Sequence, residues 1–327
     1  MTITVAGKQV GRIGYGLMQL TWNAAPAPYE DLFPAMKAAA DAGATCWSSA
    51  TFYGANNANV RLIRAFFDKH PEYKDKIVLT IKGWVNTATA VPVNDLDFLR
   101  KDVQEVKDIL GDKEIDVYLP ARLDLASSTV ESVFGKFAIL QQEGLFRSIG
   151  VSEVTAETLE KISKVVSLAM IENEVSLFTQ DQATRKVIEW STKNKVPILA
   201  YSPLGRGFLA GRFKKQEDIP ANSLLRVYPW FQGEAFENNA KLAEKLEEIG
   251  KKKGVRSSQL ALAWLTQLSD QILPIPGSSN PERIVSNSKA ADIKLTPEEL
   301  EEINKWADAN KTLGDRYADM FKPYLMQ

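Results

Sequence analysis

Two side chains that could exchange a proton follow neighbouring apolar stretches of this 327-residue sequence. Tyr53 comes shortly after the segment TCWSS, and Lys82 ends the run IVLTIK. An ammonium close to a tyrosine favours the phenolate and so lowers the pKa of the phenol. Such a pair suits protonation of a carbonyl oxygen during reduction. Because no side chain supplies a hydride, this chemistry predicts a redox cofactor.

Each of these two residues also has an ordinary structural interpretation. A lysine at the end of a strand can extend its amine into solvent while its carbon chain stays on the protein. A tyrosine followed by glycine can mark a surface turn. The alternatives are separated only by whether Tyr53 and Lys82 lie together.

A candidate anion site lies in IPGSSNPERIVSN, residues 275–287. Ser278 stands in the turn that enters a predicted helix, and Arg283 and Asn287 follow at helical spacing. A helix N-terminus with hydroxyl groups and an arginine binds anions. The alternative is an ordinary capped helix. The segment YSPLGRGFLAG, residues 201–211, has backbone that can wrap a pyrophosphate, which favours the anion site.

Composition excludes several classes of function. The 40 basic and 41 acidic residues give a net charge of −1, which argues against nucleic acid or an anionic membrane as the main partner. No apolar run has the roughly 18 residues of a membrane span, and the first residues lack a secretory signal pattern. A single cysteine, Cys46, and a single histidine, His70, argue against a zinc site. We expect a cytoplasmic, metal-free protein.

Eight short apolar runs alternate with helical patterns along the chain. The predicted strands are 13–18, 44–49, 77–82, 115–120, 147–152, 168–173, 196–201 and 272–277. The predicted helices are 95–110, one opened by a capping box at Ser128 and Glu131, 156–166, 182–194, 238–253, 256–268, and one opened by the box at 296–299. Asn94 is the expected cap of the helix over 95–110.

This alternation predicts a single α/β domain over residues 1–327, a (β/α)8 TIM barrel. Residues 2–10 are expected to form a β-hairpin at the barrel bottom. A doubly wound open sheet is the alternative, but GRIGYG at 11–16 does not have the spacing of a dinucleotide fingerprint. Residues 205–237 are predicted to form a large loop. The segment after 296 is expected to hold one helix and to continue over the barrel mouth.

Six segments, in order, resemble the aldo-keto reductase superfamily over nearly the whole chain. They are ATFYG, LTIKG, SIGVSE, ENEVSLF, AYSPLGRGFLAG and IPGSSNPERIVSN. Within the superfamily, YGLMQLTW at 15–22, ARLD at 121–124 and GDRY at 314–317 resemble the fungal pyridoxal reductase branch. The resemblance implies a barrel that binds NADPH and reduces a small aldehyde or ketone, with pyridoxal as the first substrate to test.

The resemblance also implies roles for individual residues. Tyr53 would be the general acid and Lys82 the lysine that tunes it. Cofactor contacts are expected from Ser48, Ser152, Glu172, Tyr201, Ser202, Leu204, Gly207, Leu209, Ser278, Arg283 and Asn287, with Ser278 and Arg283 on the 2′-phosphate. Substrate contacts are expected from Trp22, Trp84 and Arg122.

Three positions depart from the family pattern. Ser48 stands where an aspartate usually pairs with the lysine, Ala121 where a histidine usually orients the carbonyl oxygen, and Glu172 where a glutamine usually binds the carboxamide. Losing the aspartate should lower the pKa of Tyr53 further, unless Glu172 lies close enough to offset the lysine charge. Arg122 is a candidate for the missing donor, and an ion pair with Asp124 is its structural alternative.

The departures leave three functional hypotheses. The first is an NADPH-dependent carbonyl reductase. The second is a reductase of enones or an isomerase that uses the space left by the histidine. The third is a nearly inactive NADPH-binding accessory protein. Turnover against a panel of carbonyl compounds and enones separates them, and the sequence leaves the oligomeric state open.

Overall fold

Eight short parallel strands form the centre of the computed structural model, which describes residues 2–23, 25–86, 89, 91–221, 223–317, 322 and 324–326. They are β3 Tyr15–Gly16, β4 Cys46–Ala50, β5 Val78–Gly83, β6 Val117–Pro120, β7 Ser148–Ser152, β8 Leu168–Glu174, β9 Ile198–Tyr201 and β10 Ile272–Pro274, after a hairpin of β1 Thr2–Val5 and β2 Lys8–Gly11. All eight predicted barrel strands and the hairpin are confirmed. None of the helices described is long and apolar enough to cross a membrane.

The eight strands pair in sequence order from β3 to β10, always in parallel. Backbone hydrogen bonds from Gly14 to Pro274 (2.9 Å) and from Gly16 to Pro276 (3.3 Å) join the first strand to the last. A Cβ on Gly16 would lie 2.7 Å from the carbonyl oxygen of Ile275, so only glycine permits this approach. The sheet therefore closes as a barrel, as predicted, and the open-sheet alternative is wrong.

Helices cover the outside of the barrel. They are α1 Met18–Thr21, α2 Tyr29–Asp41, α3 Ala58–Lys69, α4 Leu96–Leu110, α5 Val130–Gln142, α6 Ala156–Ile162, α7 Gln182–Asn194, α8 Gly233–Lys253, α9 Ser257–Leu268, α10 Pro281–Ser288 and α11 Pro297–Ala309. The apolar face predicted for α4 is buried in the main core. The capping box of Thr296 and Glu299 on α11 is confirmed.

Two predicted helix caps are wrong by one residue. The side chain of Asp95, not Asn94, accepts the Phe98 amide at the start of α4. Thr129, not Ser128, accepts the Ser132 amide at the start of α5. Asn94 instead donates to Ser128 and Ser132, so it joins two helices. Adjacent polar residues compete for a cap, and tertiary contacts decide between them.

The N-terminal hairpin closes the bottom of the barrel. Its apolar residues Ile3, Val5 and Val10 pack in one cluster with residues from the barrel strands. On the polar side, Lys8 pairs with the fully buried Asp116 at 2.6 Å, and Lys113 pairs with the same carboxylate at 3.0 Å. Apolar contact and ion pairs thus fix the hairpin at the end opposite the strand termini that carry Tyr53 and Lys82.

The segment after β9 and the C-terminal tail meet at the barrel mouth, which is formed by the carboxyl ends of the strands. The predicted loop over 205–237 is a series of short 3-10 turns, and α8 begins inside it at Gly233. Trp230 in this segment donates to the carbonyl of Gly314 in the tail, at 3.1 Å. The Asn239 side chain on α8 donates to the Leu313 carbonyl at 3.0 Å and accepts the Leu313 amide at 2.9 Å. The described tail residues therefore dock beside the mouth.

Candidate active site

Strand pairing brings Tyr53 and Lys82 together. Ala50 on β4 lies opposite Lys82 on β5, and Tyr53 follows three residues later. The Lys82 Nζ lies 5.0 Å from the centre of the Tyr53 ring, and the two side chains interact. Lys82 is 3% exposed and Tyr53 8% exposed. The lysine is therefore buried against the phenol and does not extend into solvent.

A carboxylate from the other side of the barrel completes this pair. Glu172 on β8 lies with its Oε1 2.7 Å from the Lys82 Nζ. The Ser48 Oγ on β4 accepts from the same Nζ at 2.8 Å and donates to Glu172 Oε2 at 2.8 Å. The lysine thus has a buried anionic partner, although position 48 carries no carboxylate.

The pKa of Tyr53 is raised above its usual value, in contrast to the expectation from sequence. Burial is the largest cause, the Lys82 ammonium opposes it, and the Glu172 carboxylate adds to it. Burial acts to lower the pKa of Lys82, but Glu172 and Tyr53 raise it, and the net direction is upward. The site therefore holds a protonated phenol beside a charged ammonium across the neutral pH range.

Aromatic side chains surround the Tyr53 ring. Trp22 stacks on it with ring centres 5.6 Å apart, and Phe52 meets it edge-on at 5.2 Å. Trp22 is 49% exposed, so one side of its indole faces solvent next to the phenol. Trp84 differs from Trp22 in burial: it is 1% exposed and packs on Phe137 of α5.

Arg122 lies half-buried at the mouth and turns toward the site. Its guanidinium donates to the carbonyl of Ala121 at 2.6 Å and lies 5.9 Å from the ring centre of Tyr317. It also interacts electrostatically with Tyr53. The Asp124 carboxylate instead accepts from Ser127. The alternative prediction, an ion pair between Arg122 and Asp124, is therefore wrong.

Ser152 and Tyr201 stand on strands next to Glu172. The Ser152 Oγ donates to the backbone carbonyl of Glu172 at 2.8 Å. The Tyr201 hydroxyl donates to Glu153 at 2.8 Å and lies 3.0 Å from the Tyr317 hydroxyl. The Tyr201 ring is half-buried at the end of β9. Both residues lie on the same rim as the Lys82–Glu172 pair.

The segment from Ser202 to Leu209 follows β9 with unusual backbone angles. Ser202 (φ 47°), Arg206 (φ 56°) and Gly207 (φ 104°) all lie in the left-handed region. The Gly207 angle is one that only glycine adopts readily. Leu209 is fully buried and Leu204 half-buried against the core, and the Ser202 and Arg206 side chains are half-buried. Backbone amides in such a conformation can bind a diphosphate. Those of Gly205, Gly207 and Phe208 donate within the segment, to Ser202, Leu204 and Gly205.

The structure places Ser278 and Arg283 around the start of α10, and Asn287 in its last turn. Asn280 caps the helix by accepting the Arg283 amide at 2.9 Å, and the Ser278 Oγ accepts the Asn280 amide at 3.1 Å. Arg283 is exposed, and within the described ranges no carboxylate pairs with its guanidinium. Asn287 is 8% exposed on the same helix. A helix start with an unpaired arginine fits a phosphate.

Sequence reasoning missed a second buried polar cluster at the mouth. Its members are Glu153, Glu174, Arg206, Arg316 and Tyr317. Both carboxylates have fully buried side chains, and Arg316 pairs with Glu153 at 2.8 Å and with Glu174 at 3.3 Å. The sequence did contain a sign of this cluster, namely two glutamates at the ends of buried strands. A buried carboxylate needs a cation, so each of them predicts a basic partner. One of the cluster's two cations, Arg316, comes from the tail, over 140 residues from Glu174 in sequence.

Comparison with known proteins places these features in a family. Residues 12–308 match the model of the Aldo/keto reductase family. The chain is 33% identical to "Probable pyridoxal reductase 2" of Schizosaccharomyces pombe, over 96% of both chains. It is 31% identical to "Putative pyridoxal reductase" of Saccharomyces cerevisiae, over 93% of this chain and 95% of the relative.

Two further matches are a relative whose name includes a cofactor and a solved structure with a similar fold. "Aldo-keto reductase yakc [NADP(+)]" of Schizosaccharomyces pombe is 30% identical over 97% of this chain and 94% of the relative. A solved glycerol dehydrogenase of Gluconobacter oxydans superposes with a TM-score of 0.84 at 21% identity, over 96% of this chain and 97% of its own. The latter similarity supports the barrel fold alone.

Proposed function

The chain belongs to the aldo/keto reductase family, and we propose that it is an NADPH-dependent reductase of small aldehydes or ketones with Tyr53 as its general acid. The observation that carries this proposal is the buried contact of Tyr53 with the Lys82–Glu172 ion pair (2.7 Å). A protonated phenol beside a fixed cation is what a carbonyl reduction needs at its oxygen.

Several observations support NADPH as the cofactor. One relative carries NADP(+) in its name. The exposed Arg283 at the start of α10 suits a 2′-phosphate, and the left-handed backbone around Gly207 suits a diphosphate. Ser152 and Tyr201 are the proposed contacts to the nicotinamide, because both stand on strands next to Glu172. When bound, NADPH supplies the hydride that no side chain can provide.

The residues of this chain perform the proton transfer. Tyr53 gives its Oη proton to the carbonyl oxygen as negative charge develops there. The phenolate that results is stabilised by the Lys82 ammonium beside it. Glu172 keeps Lys82 charged in a buried site, and Ser48 fixes both groups through hydrogen bonds of 2.8 Å. Trp22 stacks on Tyr53 and holds the ring in place.

Arg122 is the proposed donor to the carbonyl oxygen in place of a histidine. Ala121 has no polar side chain and is 2% exposed, so it cannot orient the substrate. The Arg122 guanidinium lies at the mouth and interacts electrostatically with Tyr53. Because its described hydrogen bond goes only to the Ala121 carbonyl, its other N–H groups remain for a substrate oxygen.

Pyridoxal is the substrate that we propose first. The names of two relatives support it. The exposed indole of Trp22 beside Tyr53 suits a flat aromatic ring, and Arg122 suits the ionised hydroxyl of that ring. The test is oxidation of NADPH by the purified protein with pyridoxal, neutral aldehydes, ketones and enones. Reduction of enones alone would replace this proposal by the ene reductase hypothesis, and binding without turnover would replace it by the accessory-protein hypothesis.

Replacement of Arg283 by alanine is expected to weaken NADPH binding while NADH binding changes little. The guanidinium would meet a phosphate that only NADPH carries, and a charge-assisted hydrogen bond contributes about 1.5–3 kcal/mol, or roughly 10- to 100-fold in Kd. Titration of intrinsic fluorescence with each dinucleotide measures both values. An equal loss for NADPH and NADH would contradict the assignment.

Replacement of Arg122 by methionine is expected to raise KM for aldehydes with an ionised ring hydroxyl by about 10-fold or more. For neutral aromatic aldehydes the main change should be in kcat, because the donor to the carbonyl oxygen is lost. Initial rates with one substrate of each kind, at saturating NADPH, separate these effects. Unchanged kinetics for both substrates would remove Arg122 from the site.

A further inference from the structure

Arg316 joins the C-terminal tail to two strands of the barrel. Its guanidinium lies 2.8 Å from Glu153 at the end of β7 and 3.3 Å from Glu174 at the end of β8. Both glutamate side chains are fully buried, whereas Arg316 is 17% exposed. Glu174 Oε1 has no hydrogen-bond partner among the described residues. The two carboxylates therefore depend on arginines for compensation.

The same tail segment touches the aromatic residue expected to face the nicotinamide. The Tyr201 hydroxyl donates to Glu153, the carboxylate that Arg316 holds, and lies 3.0 Å from the hydroxyl of Tyr317. One of these contacts, to Tyr317, exists only while the tail is docked, and the other goes to the carboxylate that Arg316 holds. The orientation of its ring is coupled to Arg316 through Glu153.

The tail also holds the segment expected to wrap the diphosphate. Arg206, within Ser202–Leu209, donates to the backbone carbonyl of Arg316 and pairs with Glu174 at 3.5 Å. Its guanidinium lies 4.5 Å from the ring centre of Tyr317 and 4.3 Å from that of Tyr228. The expected cofactor segment and the tail thus share one buried cluster.

We propose that Arg316 is a positioning residue for cofactor retention: by pairing with Glu153 and Glu174 it fixes the tail against Tyr201 and the Ser202–Leu209 segment, so that NADPH leaves only when the tail undocks. This inference rests on the proposed function, because it takes NADPH as the ligand. Release of the dinucleotide and access to the substrate side of the mouth are then controlled by one set of ion pairs.

Replacement of Arg316 by alanine tests the inference through cofactor release, without turnover. We expect NADPH to leave about 5- to 150-fold faster, because coupling between two sites usually changes affinity by this factor and affinity changes appear mostly in the release rate. Stopped-flow fluorescence, with excess unlabelled NADP⁺ as competitor, measures the rate. Arg316→Lys keeps the charge but not the planar fork that meets two carboxylates, so its release rate should fall between those of the wild type and the alanine variant.

Arg185→Ala is the matched control. Arg185 pairs with Asp308 on α11 at 3.3 Å, but both side chains are more than half exposed. Loss of an exposed pair costs little, so its release rate should equal that of the wild type. Circular dichroism establishes that each variant is folded. If Arg316→Ala does not fold, Arg316→Lys supplies the comparison.

Limited proteolysis gives a second, independent measurement of docking. Chymotrypsin should cleave at Tyr317 slowly in the wild type, more slowly still with NADPH present, and rapidly in Arg316→Ala. A wild type that binds no NADPH would overturn the proposed function itself. A wild type that binds NADPH, combined with variants that release it at the wild-type rate, would overturn only the role of Arg316.

Discussion

Tyr53→Phe is expected to lower kcat for aldehyde reduction by about 10²- to 10⁴-fold, the usual contribution of a positioned general acid. Phenylalanine keeps the ring that stacks on Trp22 at 5.6 Å but has no proton to give. Single-turnover oxidation of bound NADPH measures the chemical step directly. The affinity for NADPH should change little, because the proposed cofactor contacts lie on other residues.

Tyr29→Phe is the control for this experiment. The Tyr29 hydroxyl donates to the carbonyl of Ala58 at 2.9 Å, away from Lys82 and Glu172, so its loss should leave kcat unchanged. The alkaline limb of the wild-type profile adds a second test. Since burial and Glu172 raise the pKa of Tyr53, the phenol should stay protonated above the pH at which free tyrosine ionises. A Tyr53→Phe enzyme with wild-type kcat would exclude Tyr53 as the acid.

Glu172→Gln is expected to lower kcat by about 10- to 100-fold, because the buried Lys82 loses the partner that lies 2.7 Å away. Burial then lowers the pKa of Lys82 with only Tyr53 left to oppose it. In the wild type Glu172 raises the pKa of Lys82, so the ammonium persists into alkaline solution. In the variant the alkaline limb of kcat should move to lower pH, which a pH–rate profile measures.

A second substitution, on β4, should replace the carboxylate that is lost from β8. The Ser48 Oγ already lies 2.8 Å from the Lys82 Nζ, so an aspartate at this position can reach the same ammonium. Ser48→Asp combined with Glu172→Gln is therefore expected to recover most of kcat and to return the alkaline limb toward the wild type. Ser48→Asp alone places two buried carboxylates beside one lysine, and it should be impaired by their repulsion.

The pattern across the three variants identifies the role of the carboxylate. If both single variants lose activity and the double variant recovers it, the site needs one carboxylate, on either β4 or β8. Loss of activity in the double variant, despite a wild-type circular dichroism spectrum, would show that Glu172 has a role that its charge does not explain. Equal activity in all four proteins would remove Glu172 from the proton-transfer step.

The sequence determined the barrel and the Tyr53–Lys82 pair at the carboxyl ends of its strands. Eight apolar runs were enough to predict the strands, because parallel strands buried on both faces are apolar along their length. The position of Lys82 at the end of such a run, one strand away from Tyr53, predicted their contact. The assignment of site residues, including that of the buried Trp84, stays a prediction.

Only the tertiary structure decided which acidic and basic side chains form ion pairs. Glu172 reaches Lys82 from a strand 90 residues away in sequence, and Arg316 reaches Glu153 from 163 residues away. Local sequence patterns follow helix and strand periods, which say nothing about contacts across a closed barrel. Burial, a property of the whole fold, also reversed the expected direction of the Tyr53 pKa.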